Sequence, residues 1–344
     1  MLLVNSTPFA VEQFALNDET GAPILLVLLK ATFSFTLLGE VTVSSVQKPV
    51  EVADQFTGKP GESSISCASD FSYNKTATDI VLTGNAYPSR ESAVERFVSM
   101  SVGTIVKEVI VFGNRHWKKV LGFSVLSSPE PFEKIPLIYE NSYGGYDCSH
   151  NHSTYHQFES RNPVGKGFRA KKSMLKSEQL QVPNIEDCND LLSNPGEHLT
   201  PQGFGFISPS WQPRLSFAGT YDKKWRQERM PLLPVDFNRR FFNTAHPDLI
   251  YPGYIQGGEL VAIDGTFADR HTEVSLTLPN IAAECQISTS DYDQLQPISL
   301  KTDRVHFNTE EMLFTVLESG TIHINDPQSI RETTVSQTRE AVWA

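Results

Sequence analysis

Much of what would announce an enzyme or a nucleic-acid binder is missing from this chain. There is no GxxxxGKS/T loop, and the Gly-rich pieces GKGF and GFGF lack the GxGxxG frame, so nothing is set up to cradle a phosphate. Neither GxSxG nor HExxH occurs. Positive charge is scarce: 29 Lys and Arg against 40 Asp and Glu give a net charge of −11. A general nucleic-acid binder needs a basic face that releases counterions, and this balance argues against one. The four cysteines, Cys67, Cys148, Cys188 and Cys285, are scattered without a CxxC pair, which points to reduced thiols and not to a disulfide framework. The longest apolar run, residues 24–29, is too short to span a bilayer and ends at Lys30. MLLVNSTPFAVEQFALNDETG, at the N-terminus, has no basic region ahead of its apolar residues and does not read as a signal peptide. The expectation is a soluble cytoplasmic protein that engages neither nucleic acid nor membrane.

What is present is a globular composition. With 39% hydrophobic and 20% charged residues over 344 positions, the chain can bury a substantial core. Strand patterns fill the first part. PILLVLLKATFSFTL is rich in β-branched and aromatic residues and turns through LLGE into VTVSSV, and TDIVLTGNAYP, RFVSMSVGTIVKEVIVFGN and VLGFSVLS follow. Strands return at the end in HTEVSLTLPN and RVHFNTEEMLFTVLESGTIHI. Between them the chain is crowded with Pro, Gly, aromatic and polar residues, and aromatic content of that kind argues for order. One helix is expected near Thr220, in TYDKKWRQERM, stopping at Pro231. The fold expected is mainly β: antiparallel sandwich-like or barrel-like lobes with a long ordered irregular middle and few short helices. Its divisions are an N-terminal β lobe at 1–130, a loop-rich middle at 131–258 and a C-terminal β segment at 259–344.

The stretch PLLPVDFNRRFFNTAHPDL, residues 231–249, follows neither period, yet exposed rings at Phe237, Phe241 and Phe242 would need burial against something. These rings are expected to lock an irregular connection onto the β core, with Asn243 satisfying backbone groups and Arg240 pairing with a buried or half-buried acid. Asp236 and Asp248 flank the patch. They read either as turn residues or as an acid–base pair of a carbohydrate-active protein, whose aromatics would stack on sugar. Cys148, His150, His152 and His156 supply four potential metal ligands within nine positions, but the spacing fits no standard site and a solvated polar loop is the plainer reading. Paired glycines beside aromatics suggest tightly folded loops clamped over the core, usable as a preformed recognition surface.

Taken in order, ETGAPILLVLLKATFSF, KTATDIVLTGNAY, VFGNRHW, IPLIYENSYGG, RNPVGKGF, VPNIED, PQGFGFISPSWQPRLSFAGTYDKKW, LPVDFNRRFFNTAHPDL and GYIQGGE resemble the blocks of the adaptor, or chaperone, family of type VI secretion systems. That family, long described only as a domain of unknown function, is encoded beside valine-glycine-repeat spike proteins and PAAR-like effectors. Local departures are Asn114 and Asn238 where an acid is usual, Thr244 for alanine and Leu249 for glutamine. The resemblance implies a non-enzymatic cytoplasmic adaptor, without catalytic, cofactor or metal residues. It would bind a secreted toxin or a PAAR-like protein, keep it stable and deliver it to the spike protein. The motif positions that stand as structural or partner-binding candidates fall in six groups along the chain: Tyr143, Gly144 and Gly145; Asn162, Pro163, Gly165, Gly167 and Phe168; Trp211, Pro213 and Arg214; Gly219, Tyr221, Asp222 and Trp225; Pro234, Asp236, Phe237, Arg240, Phe241, Asn243, Pro247 and Asp248; and Gly253, Gly257 and Gly258.

Overall fold

A computed structural model describes residues 2–170, 180–269, 273–291 and 294–338. Its organising element is Pro23–Phe35, whose apolar residues 24–29 run on without alternating with polar ones and are buried on both faces of the strand, before Lys30 to Phe35 alternate. A continuous apolar run is what a strand covered on both sides requires. Labelled in chain order, the main sheet holds β2 (Ala10–Asn17), β3 (Pro23–Phe35), β4 (Val41–Val43), β5 (Asp79–Thr83), β13 (Lys301–Asn308) and β14 (Leu313–His323), with β1 being Leu2–Asn5. The order across it is β2-β3-β14-β13-β5, with β4 pairing on β3, so the late hairpin β13–β14 inserts between early strands. All its pairings are antiparallel except β13 with β5.

A second sheet is built on the hairpin of β6 (Glu95–Val102) and β7 (Ile105–Phe112), flanked by β8 (Ile185–Asp187) on one side and by β9 (Leu260–Asp264) and β10 (Val274–Thr277) on the other. A third joins β1 to β15 (Ile330–Gln337), β11 (Ala283–Thr289) and β12 (Gln296–Ile298). One apolar core runs across all three: Val27, Phe33 and Phe314 from the first, Val98, Val109 and Val261 from the second, Ile287 and Val335 from the third. Several open sheets around a shared core make the protein mainly β and sandwich-like, and no closed barrel is formed among the described residues. His271 and Thr272, at the head of the expected strand HTEVSLTLPN, lie outside the described residues.

The face of the main sheet turned away from this core is polar where the segment between β4 and β5 covers it. Lys30 and Arg304 share the buried carboxylate of Asp70, each at 2.8 Å. Lys75 sits 2.7 Å from buried Asp79 at the start of β5. Such pairs stabilise when further hydrogen bonds satisfy the buried groups, and here Arg304 also donates to Ala68 O in the covering loop and Lys75 to Asp303 O of β13. The segment between β4 and β5 is therefore seated on the sheet by charge. The one α-helix among the described residues, α1 (Lys223–Glu228), is shorter than the expected segment; Asp222 caps it by accepting from Trp225 N at 2.7 Å. No helix among the described residues is long and apolar enough to cross a membrane.

Candidate functional site

Residues 231–249 fold as two short 3-10 turns, Arg239–Phe242 and Pro247–Leu249, and the first of them meets a third turn, Arg214–Phe217. The two facing turns are cross-linked. Asn238 N donates to Phe217 O at 3.0 Å, and Arg214 donates from Nε to Phe241 O at 2.8 Å and from Nη1 to Ile207 O at 2.7 Å. Each turn lays its arginine on the phenylalanine of the other: Arg214 Cζ is 5.1 Å from the Phe241 ring centroid and Arg240 Cζ is 4.5 Å from that of Phe217. Contacts of this kind contribute about 0.5–2 kcal/mol each. Beside this crossed clasp opens a cleft of about 520 Å³, walled by Ile207, Pro213, Phe217, Pro247 and Tyr251 and carrying both guanidinium groups. No Asp or Glu lines it.

The expected ion pair of Arg240 with an acid does not form with any described carboxylate. Three residues per turn send neighbouring side chains about 120° apart. Arg239 therefore reaches Glu19 in the β2–β3 connection, while Arg240 lies on Phe217. Phe237, Phe241 and Phe242 do pack on one another edge to face at 5.5–6.3 Å, and Phe242 stacks on Tyr73 at 5.1 Å in a cluster with Ile24, Leu26 and Leu28 of β3. Asn243 donates to Ala77 O and to Asp79 Oδ1 at 2.8 Å, and Thr244 adds two more donors to Asp79. Burial alone would raise the Asp79 carboxyl; the Lys75 ammonium and these donors outweigh it and hold it below the usual carboxylate range.

One turn further on, the same motif reaches a second buried cation. Lys107, on the core face of β7, donates to Gln202 Oε1 at 2.6 Å and lies 3.0 Å from Asp248 Oδ2 and 3.3 Å from His246 Nδ1. Burial pushes the His246 ring below its ordinary value. Its Nδ1 accepts from Asp248 N and its Nε2 faces Pro201 O, which assigns the neutral ring with hydrogen on Nε2. The Asp248 carboxyl is held well below the usual carboxylate range by its contact with His246 and by Lys107; because the ring is neutral, the ammonium carries that effect. Asp236 serves a different element. It accepts from Thr220 N at 2.9 Å and Thr220 Oγ1 at 2.7 Å, closing the loop that sets Gly219 against Pro234, beside which Tyr221 and Trp225 pack on each other at 4.7 Å.

Other motif positions form a knot away from the cleft. Asn162, fully buried, donates to Tyr139 O and Tyr143 O, and Tyr143–Gly144 pairs in parallel with Lys166–Gly167. At Gly145 the backbone φ is +93°, and a Cβ there would stand 2.3 Å from Gly165 O, so only glycine fits. Pro163 follows Asn162 in the same loop, Phe168 packs at 6.4 Å from Tyr143 over a small core with Trp117, and Trp211 meets Tyr139 at 5.5 Å. Gly253 O accepts from Thr78 N, and Gly257 and Gly258 rest against residues 278–280. Among the described residues no three His, Cys, Asp or Glu converge as metal ligands. His150, His152 and His156 instead contact each other, Tyr155 and backbone.

Sequence reading missed Phe217, Lys75, Asp79 and Lys107 as members of this site. Lys107 did leave a signal: it replaces an apolar residue in the alternation of Ile105, Val109 and Val111, and a lysine on a core face needs a partner. No curated protein and no solved structure matches the chain. Residues 20–317, however, match a family described as an uncharacterized protein conserved in bacteria (DUF2169), a span that takes in both turns of the clasp, the Lys107 and Asp79 networks and the glycine knot. The chain belongs to this conserved bacterial family, DUF2169.

Proposed function

We propose that the protein is a non-enzymatic adaptor that binds and stabilises a type VI secretion toxin or its PAAR-like domain in the bacterial cytoplasm and loads it onto a valine-glycine-repeat spike protein. The resemblance of nine ordered sequence blocks supports this reading. The observation that carries it on the structural side is the cleft beside the crossed clasp: a preformed surface of Arg and aromatic side chains fixed by backbone hydrogen bonds from both turns. Rigid Arg and aromatic anchors are what interface hot spots are made of. A carbohydrate-active reading would ask Asp236 and Asp248 to act on one bond, but each is engaged in its own network, with Thr220 and with Lys107 and His246. The test is capture of the tagged full-length protein from the cytosol of its own bacterium under conditions where toxin and spike are expressed. A toxin, PAAR-like or spike protein in near-equal amount is the expected result; recovery of the protein alone would sink the adaptor reading.

A further inference from the structure

Arg214 is 9% exposed, and its Nε and Nη1 are spent on Phe241 O and Ile207 O, while Nη2 has no hydrogen-bond partner among the described residues. Its guanidinium and that of Arg240 line the same cleft. Neither forms an ion pair with a described carboxylate, and no acid lines the walls. Two cations without an ion-paired carboxylate thus line one largely apolar cleft in a chain of net charge −11, Arg214 feeling Asp54 and Asp79 only beyond contact distance. A desolvated charge without a counter-ion is costly, and a ligand that supplies one removes that cost. An acidic ligand is repelled by most of such a surface and drawn to a cationic opening, so charge here selects as well as attracts.

We infer that this cleft is a carboxylate-recognition site for an acidic peptide segment of a partner protein. An Asp or Glu side chain of the peptide seats between Arg214 and Arg240, and its apolar neighbours lie on Phe217, Pro247 and Tyr251. Nη2 of Arg214 gives a fixed donor. Arg240, over the Phe217 ring but exposed, gives a second that can take a carboxylate oxygen. A peptide fits better than a small acid because the cleft is open at the surface and borders exposed Leu215 of the same turn, which extends the apolar contact beyond it.

The inference deepens the adaptor reading by naming the kind of segment a client presents, and it is tested separately from it. A phage-displayed library of random peptides is panned against the full-length protein, and selected peptides are measured by fluorescence anisotropy. Peptides enriched in Asp or Glu flanked by apolar residues are expected. Arg240→Glu should weaken them by at least ~10-fold, Arg240→Lys less, and an acid-to-amide change in the peptide should match the Arg240→Glu loss, the scale of one charged hydrogen bond. Arg240 is exposed and holds no backbone group through its side chain, so its variants should lose only the contact with Phe217 and stay folded, which a melting curve of each variant checks before binding is compared. Enrichment without acids, binding indifferent to Arg240→Glu, or no enrichment overturns the inference. If a toxin co-purifies equally with Arg240→Glu, the adaptor stands and this site falls. Acidic peptides that need Arg240 in a protein that captures no toxin would mean the reverse.

Discussion

Phe241 illustrates how a single ring ties two turns together. It packs on Phe237 and Phe242 and carries Arg214 on its face, while its carbonyl accepts from the same arginine. Phe241→Ala keeps the carbonyl but removes the ring. Because the ring is only half-buried, the expected loss is about 2–3 kcal/mol, below that of a core phenylalanine, and a denaturant titration measures it. Asp79→Asn should cost more, about 3–5 kcal/mol, since Lys75 would be left buried without its counter-ion. Pairing it with Lys75→Met should recover a large part of the loss, and a double variant no better than Asp79→Asn would refute the ion-pair account. The rings were legible in the sequence because three phenylalanines in a proline-bounded stretch have nowhere to go but inward. Asp79 was not: its partners Asn243 and Thr244 lie about 165 residues away, beyond any local pattern.

At the scale of elements, hairpins were the most readable part. The alternation in RFVSMSVGTIVKEVIVFGN becomes β6 and β7, and RVHFNTEEMLFTVLESGTIHI becomes β13 and β14. The edge strand β2 and the inner strands β11 and β15 of the third sheet went unread because they carry many polar residues and owe their place to pairing with β3, β1 and each other. In the irregular middle, glycine beside aromatic residues did mark tight loops, but not which loops would meet. Gly145 and Gly165 meet backbone to backbone, so Gly145→Ala places a methyl against a carbonyl in a left-handed conformation. A loss of several kcal/mol, or insoluble expression, is expected, whereas Gly61→Ala, also at positive φ but in open space, should lose about 1 kcal/mol. Comparing melting temperatures of the two variants separates close approach from φ alone.

Across the whole molecule, two half-buried groups should shape stability against pH in opposite senses. Burial, with the nearby Arg304 and Lys30 cations, pushes His306 down to about 3 from 6.5, so below pH 6.5 the unfolded chain gains a proton the native one refuses and stability falls with falling pH. Burial, with Asp303 adding to it, pushes Glu318 up to about 7 from 4.5, so between pH 4.5 and 7 the native chain holds a proton the unfolded one has lost and stability falls with rising pH. Over pH 4.5–6.5 the two slopes, each about 1.4 kcal/mol per pH unit, oppose one another. Relative to the parent, Glu318→Gln should gain stability as pH rises through this window and His306→Gln as pH falls through it. Calorimetry at several pH values tests both, and parallel profiles would disprove the assignment.

The insertion of β14 beside β3 has a consequence for how the chain is made. Phe33 sits opposite Phe314, about 280 residues later, so the longest apolar strand leaves the ribosome with one edge unfilled until nearly all the rest has been synthesised. A nascent chain in that state exposes a ready template for aggregation, and its yield in the cell should depend on translation speed and on general chaperones that shield strand edges.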